Sequence, residues 1–259
     1  MKLLLKSLLI LSVFAIISWG CHPLFAQTPQ EIVNQCITTL GGEEGIRNFN
    51  NFKGTGEVQF SFGTREFKGD ITIIKKGRKT LMIGEFNFGG SKMKMVRSFD
   101  GQNAWMERMG NISDQPALND QSELDHTPML LLEKEAAFSL GEQTEIEGKK
   151  AIGIEVNFNN KKTTFFIDQT DHTIKEIRYS DLFFGDSLNK ETLEKRIRFL
   201  EYDKIKDFMF PSRMIHYQKG KKQMEFNFQE IMFDPKVSPE MFERPDQELD
   251  LRTREEMYH

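Results

Sequence analysis

The sequence predicts a mainly β protein made of one strongly curved antiparallel sheet, an unclosed barrel of about eleven strands with helices across its concave face. Apolar residues recur at every second position over most of the 259-residue chain, and this is the period of a half-buried strand. Short polar or glycine-containing turns join these runs, as in a meander. The runs number roughly eleven or twelve, more than an open twisted sheet carries without curling.

Residues 149–179 show the pattern most clearly, because three alternating runs follow one another with only short turns between them. The first run places four apolar side chains on one face: Ile152, Ile154, Val156 and Phe158. Its other face carries Ala151, Gly153, Glu155 and Asn157. We therefore expect a sheet with one buried face and one face in water.

The first 26 residues have the features of a bacterial secretory leader. Lys2 and Lys6 give a positive start, residues 8–17 are almost entirely apolar, and Ala26 supplies the small residue that a leader peptidase needs. We expect cleavage there, and export to the periplasm. This leaves a single domain over residues 27–245 and a polar tail over 246–259.

A lipoprotein signal is an alternative interpretation of the same segment. Residues 18–21 read Ser-Trp-Gly-Cys, in which Cys21 would be acylated and would anchor the protein in the envelope. An uncleaved membrane anchor is a third alternative, although the apolar stretch is short for one.

Composition excludes several function classes. Without Lys2 and Lys6 the chain has 33 basic residues against 39 acidic ones, a net charge of −6, so nucleic acid is not an expected partner. After cleavage Cys36 is the one cysteine left, which excludes an internal disulfide. A hydrophobic share of 38% with 23 phenylalanines is enough for a substantial core.

Helix signals open the mature chain. Thr28-Pro29-Gln30-Glu31 is a capping box with proline in the first turn, an apolar face follows to Leu40, and Gly41-Gly42 ends the helix. A short helix or turn over 43–52 leads into the first strand.

Five strands connected by hairpins are expected next, up to Trp105. Glycine-containing turns separate them at 63–64, 76–78, 89–90 and 100–101. Gly54-Thr55-Gly56 is not followed by a lysine or a helix start, so it indicates a strand bulge and not a phosphate loop.

Residues 111–125 are polar and rich in turn formers, which predicts a loop. Residues 129–140 are apolar around most of a helical circumference, which predicts a short buried helix acting as a plug or lid, with Leu131 and Phe138 facing inward. The sheet then resumes from Thr144 to Gln229, and residues 239–242 predict a last helical turn.

The one cluster with catalytic residue types is Asp168, Asp171 and His172. A carboxylate and an imidazole at this spacing can bind a metal or exchange protons. The cluster lies where two strands must be joined, however, so we favour a turn. His126 and His216 are isolated, and we expect no enzyme activity, no metal and no cofactor.

The excess of phenylalanine and methionine has two interpretations, a filled core or a hollow concave face that binds a ligand. Met93, Met95, Met106 and Met109 would make an adaptable lining. The hollow interpretation predicts an acyl cavity closed by Leu131 and Phe138 and lined by Phe60, Phe62, Ile71, Ile73, Ile83, Met93, Met95, Ile154, Val156, Phe165, Ile167, Phe226 and Phe228.

The order of elements resembles the outer-membrane lipoprotein-sorting proteins, relatives of the periplasmic lipoprotein carrier and its outer-membrane receptor. The resemblance rests on the Gly-Gly that ends the first helix, and on the segments 99–105, 148–151, 166–170, 202–203 and 210–211. It implies an unclosed barrel of about eleven strands that shelters acyl chains beneath a lid. A buried arginine latches the lid in the carrier; Arg97 and Arg108 lie on strands here, but neither lies in a matching motif.

Three function classes follow from these patterns. A carrier of lipids or acylated lipoproteins requires a hollow inner face, an envelope interaction domain requires a filled one, and a hydrolase requires polar groups that converge inside it. We favour the carrier, as a monomer with transient membrane contact and with envelope lipoprotein-transport components as further partners.

Overall fold

A computed structural model describes residues 27–62, 65–88, 90–115, 127–184 and 190–245 of the chain. Within them the helices are α1 (Pro29–Thr39) and α2 (Gly42–Asn48), with 3₁₀ helices at Pro128–Leu132 and Pro239–Phe242. The predicted leader, the polar tail, Cys21, His126 and the turn at 63–64 lie outside these residues. None of the described helices is long and apolar enough to cross a membrane.

Thirteen strands form the sheet. They are β1 (Asn51–Phe62), β2 (Arg65–Lys76), β3 (Lys79–Phe88), β4 (Ser91–Phe99), β5 (Ala104–Arg108), β6 (Asn111–Asp114), β7 (Ala137–Ile146), β8 (Lys149–Phe158), β9 (Lys161–Asp168), β10 (Ile174–Phe184), β11 (Lys190–Ile205), β12 (Phe208–Gln218) and β13 (Lys221–Phe233).

The strand order is β6-β5-β4-β3-β2-β1-β13-β12-β11-β10-β9-β8-β7, and every pairing is antiparallel. The first and last strands therefore pair in the middle of the sheet. The two edge strands, β6 and β7, are consecutive in the chain, so the opening of the barrel lies between them. This confirms the single unclosed antiparallel sheet, with β6 formed in part of the predicted loop.

Helix α1 forms as its capping box predicts. Thr28 N donates to Glu31 Oε2 (2.8 Å), and Glu31 N donates to Thr28 Oγ1 (3.2 Å). Gly41, with φ of 101°, then takes the left-handed conformation that ends the helix. Four apolar side chains of this segment are buried on the sheet: Ile32, Val33, Cys36 and Leu40.

The helix predicted over residues 129–140 is wrong. Only Pro128–Leu132 forms one short 3₁₀ helix, and β7 begins at Ala137 and pairs with β8, with Phe138 opposite Val156. The hairpin that β7 and β8 form around residues 147–148 extends back to Ala137, so residues 137–140 join the sheet. The Glu-Lys-Glu sequence at 133–135 provides the polar turn between the two elements.

The two faces of the sheet bury different clusters. The inner-face cluster joins α1 and α2 to strands from both halves of the sheet. The outer-face cluster packs the C-terminal segment on β2–β5 through Ile74, Leu81, Ile83, Val96, Trp105, Met241 and Phe242. Trp105 Nε1 and Ser98 Oγ each donate to the carbonyl oxygen of Phe242 at 2.8 Å.

The glycine pair of β1 forms the predicted bulge. The β1–β13 register shifts between Thr55 and Gly56. A Cβ on Gly56 would lie 2.1 Å from the carbonyl oxygen of Asn227, so only glycine permits this approach of the two strands.

Candidate ligand cavity

The inner face of the sheet contains a cavity of about 180 Å³. One side is formed by residues of β1–β5 and β13, and the other by residues of β10–β12. Thr127 and Pro128, at the start of the first 3₁₀ helix, and Phe49, after α2, complete it. The strand residues of the lining are Phe52, Ile73, Lys75, Thr80, Met82, Arg97, Ser98, Phe99, Ala104, Ile177, Tyr179, Ile197, Phe199, Phe210, Met214, His216, Phe226 and Phe228.

Strand register explains how β2, β3 and β4 contribute to this lining. Lys75 pairs with Thr80, which pairs with Phe99, and Ile73 pairs with Met82, which pairs with Arg97. Residues in register point to the same side of a sheet. Two successive rows of side chains therefore face the cavity from this half.

Aromatic rings form much of the remaining wall. Phe52 and Phe210 meet edge to face with centroids 4.8 Å apart. Phe226 stacks on Phe228 at 6.1 Å and meets His216 edge to face at 5.2 Å. Such ring pairs stabilise the packing of this wall beyond the effect of their buried area.

The size of the cavity limits what it holds. An apolar protein cavity of about 150 Å³ accepts a molecule of benzene's size. At about 180 Å³ this cavity accommodates an apolar group of similar size, or a short segment of an acyl chain. A complete long chain requires the walls to move.

Three residues of the predicted lining do line the cavity: Ile73, Phe226 and Phe228. The other predicted residues whose side chains the structure describes lie outside this lining. Buried in the inner-face cluster are Ile71, Ile154, Val156, Phe165 and Ile167, and partly buried against it are Phe60, Met93 and Met95. The Phe62 side chain lies outside the described residues.

Ile83 was assigned to the wrong face. It alternates with Met82 and belongs to the outer-face cluster beside Leu81. The run Leu-Met-Ile is apolar at three successive positions, so alternation alone does not identify the inner residue.

The predicted lid residues are placed next to the cavity wall and not in it. Leu131 is buried in the inner-face cluster and Phe138 packs against that cluster from β7. The residues of this segment that reach the cavity are Thr127 and Pro128. The segment therefore covers the cavity by its first turn.

Sequence reasoning missed the contribution of β10–β12, chiefly Tyr179, Phe199, Phe210 and Met214. Alternation along β11 is interrupted by register shifts on either side of Glu201. Such shifts move the inner face by one residue. Before the shift, Ile197 and Phe199 are two residues apart, and this alternation is the sequence pattern that could have identified them as inward-facing.

The Asp168, Asp171 and His172 group forms a turn, as favoured above. Asp168 Oδ1 accepts from the backbone N–H of Thr170 (2.7 Å) and of Asp171 (3.1 Å), and His172 has φ of 56°. In the described part of the chain, His, Cys, Asp and Glu do not form any group of three or more that could hold a metal ion.

Hydrogen bonds and nearby positive charges stabilise the ionised form of Asp171 in this turn. Partial burial alone would raise the pKa of Asp171, but hydrogen bonds from Thr173 and Lys149 and the charge of Lys175 hold it well below its usual range.

Burial raises the pKa of the Cys36 thiol well above its usual range, so this cysteine stays protonated and unreactive.

An open antiparallel half-barrel with an apolar cavity on its inner face is therefore the class of protein that this chain forms. The fold is similar to that of a LolA superfamily protein from Nitrosomonas europaea, with a TM-score of 0.52 and 12% identity over 85% of this chain and 99% of that one. It is also similar to a putative outer membrane lipoprotein-sorting protein domain from Vibrio parahaemolyticus, with a TM-score of 0.50 and 12% identity over 82% of this chain and 95% of that one.

No family model matches the sequence, and no curated protein matches it. The likeness to solved structures therefore shows a shared fold. It is the fold that the resemblance in the sequence predicted.

Proposed function

We propose that the protein is a periplasmic carrier that binds an acyl chain of a lipid or lipoprotein in the inner cavity and transfers it toward the outer membrane. The observation that carries the proposal is the apolar hollow of about 180 Å³ on the inner face. A domain whose only task is to present a surface would gain stability by filling this space. The lipoprotein-sorting domain with the same fold supports the same proposal.

Energetics indicate that binding requires an opening movement. Each sheltered methylene contributes roughly 0.8 kcal/mol, so about six would contribute on the order of 5 kcal/mol, which is weaker than micromolar binding. About ten methylenes, on the order of 8 kcal/mol, reach the micromolar range before ordering costs. The cavity must therefore enlarge to bind a long chain tightly.

The first 3₁₀ helix is the element that we expect to move. It contacts α2 and β8, it is only five residues long, and its first turn covers the cavity. Displacing it would extend the hollow toward the opening between β6 and β7 without breaking strand pairing. Such gating segments open on microsecond to millisecond timescales in other proteins.

A cavity-filling substitution tests the proposal. Met214→Trp adds bulk to the wall of the cavity, and we expect it to weaken binding of palmitate by at least tenfold, measured by calorimetry. Met95→Trp is the matched control, because Met95 packs on the same face but does not line the cavity. Both variants should keep the cooperative thermal transition of the unmodified protein.

Two outcomes would contradict the proposal. One is a folded unmodified protein that binds neither palmitate nor a diacylated peptide. The other is equal loss of binding in Met214→Trp and Met95→Trp, since that would place the acyl chain elsewhere.

A further inference from the structure

Strand β7 is the longer of the two edge strands of the sheet. It has ten residues, against four for β6. In the described part of the chain β7 pairs with β8 along one side, and no strand lies along its other side. Alternate residues of an edge strand direct their backbone N–H and C=O groups away from the sheet. A further extended segment can complete these hydrogen bonds by adding a strand.

The first half of β7 is apolar on the inner side of the sheet. Phe138 packs against the inner-face cluster, and Leu140 pairs in register with Ile154 of that cluster. Leu140 is nevertheless 47% exposed. The side chains of an added strand would lie beside those of β7 on the same face. An apolar residue at this position would therefore cover Leu140.

The second half of β7 is acidic, with the exposed residues Glu142 and Glu145 and no lysine or arginine. Glu142 lies in the bulge of the strand and is paired with Arg178 at 2.8 Å. Glu145 pairs in register with Lys150 of β8. An added strand would lie roughly 5 Å from β7 and roughly 10 Å from β8, so it would meet Glu145 before Lys150. A basic residue suits this position.

A second copy of β7 does not match this edge. In full-length antiparallel pairing of two β7 strands, Phe138 lies opposite Glu145 and Leu140 lies opposite Gln143, so each apolar residue meets a polar one. Parallel pairing would bring Glu145 of one copy beside Glu145 of the other. Bulges and charges protect an edge against unspecific pairing. Here they restrict the partner to a strand with the complementary pattern.

We propose that β7 adds an extended segment of another polypeptide to the sheet, with apolar residues beside Phe138 and Leu140 and a basic residue beside Glu145. Backbone hydrogen bonds supply the affinity, and the side-chain pairs supply the selectivity. The surface borders the opening between β6 and β7 and lies outside the cavity lining. The proposal is independent of acyl binding, because strand addition requires no ligand in the cavity.

The probe is the synthetic peptide acetyl-TTKTTTVTVT-amide. Paired antiparallel across the bulge, it places its valines opposite Phe138 and Leu140 and its lysine opposite Glu145. In one control peptide glutamate replaces the lysine. In a second, prolines replace the fourth and sixth threonines, which removes backbone donors without changing the charge.

The three peptides are titrated into the ¹⁵N-labelled protein and two variants, Glu145→Lys and Glu230→Lys, and followed by NMR. Glu230 is the matched control, because it is an exposed glutamate on β13, which five strands separate from β7. Hydrogen exchange of the β7 amides is measured with and without peptide. Sedimentation equilibrium gives the oligomeric state at the same protein concentration.

We expect the lysine peptide to bind the unmodified protein about fivefold more tightly than the glutamate peptide, because an attractive cross-strand pair replaces a repulsive one. It should also slow exchange of alternate β7 amides. Glu145→Lys should reverse the preference, which also shows that this variant is folded, and Glu230→Lys should preserve it. The proline peptide should not bind measurably.

Four results would overturn the proposal. Binding of none of the peptides would show that the edge does not accept a strand, and equal binding of the proline peptide would indicate plain charge attraction. Slow exchange of all β7 amides in the free monomer would mean that the chain covers its own edge. A dimer with the same slow exchange would mean that a second copy occupies it. Acyl binding is measured separately, so each result leaves the proposed function standing.

Discussion

Two parts of the inner face show the same alternating pattern and are packed differently. Next to β7, the strand that α1 contacts, the β8 and β9 residues Ile154 and Phe165 are completely buried. Across β2–β4 and β10–β12 the inner residues surround a cavity of about 180 Å³, and Met82 and Met214 in its wall are only half-buried. The difference is in what covers each part.

Helix α1 covers the filled part. It contributes Ile32, Val33, Cys36 and Leu40 to the inner-face cluster, and it contacts β7. The hollow part is covered by the end of α2 and one turn of the 3₁₀ helix. The side chains of a helix fill the space above the sheet face on which the helix packs. The cavity lies where only a few helical residues pack on the sheet.

The largest expected effect is a loss of folding stability when a phenylalanine of the inner face is replaced by alanine. Phe165→Ala, in the filled part, should lower the free energy of unfolding by about 3–5 kcal/mol. Phe199→Ala, in the cavity wall, should lower it by roughly 1–2 kcal/mol less, because part of that ring already faces empty space and lacks contacts there. Urea unfolding of both variants measures the difference, and equal losses would show that the two parts are packed alike.

The next largest effect concerns the stability of helix α1. Thr28→Ala removes the side-chain acceptor of the capping box and should lower the free energy of unfolding by about 1 kcal/mol. Thr38→Ala in the same helix is the control, since the Thr38 hydroxyl bonds within the helix, to the Asn34 carbonyl. Palmitate affinity should be the same in both variants; a marked loss in Thr28→Ala would mean that α1 also closes the cavity.

The smallest effect is a pH dependence in the β9–β10 turn. The pKa of Asp171 is lowered in the folded protein, so its ionised form contributes stability above its unfolded pKa of about 3.9, and this is lost as pH falls toward the folded pKa. Asp171→Asn should therefore destabilise the protein at pH 7 more than at pH 3. Equal destabilisation at both values, in thermal melts, would contradict this.

The sequence predicted those elements whose signals are local. The capping box at Thr28, the bulge at Gly54–Gly56 and the turn at Asp168 each depend on a few adjacent residues, and each formed as expected. The helix expected over 129–140 did not form, because the β7–β8 hairpin extends back from its turn at 147–148 to Ala137, and residues 137–140 pair with β8 there.

Of the residues predicted to line an acyl cavity, Ile73, Phe226 and Phe228 lie in the wall of the inner-face cavity, and most of the others pack on the inner face outside it. Alternation identifies which residues face inward, as it did for Ile73 and Phe226. It does not tell which inward residues a helix will cover, so Ile154 and Phe165 were assigned to the lining. That distinction depends on where α1 docks, and docking is decided by the packing of the whole inner face.

Methionine methyl groups allow the most direct test of the acyl cavity. Met82 and Met214 line it, while Met93 and Met95 pack on the inner face outside its lining. In protein labelled with ¹³C at methionine methyls, bound decanoate should show nuclear Overhauser contacts to Met82 and Met214 and not to Met93 or Met95. Contacts only to the exposed Met109 and Met232, or to no methionine while decanoate is bound, would contradict the account.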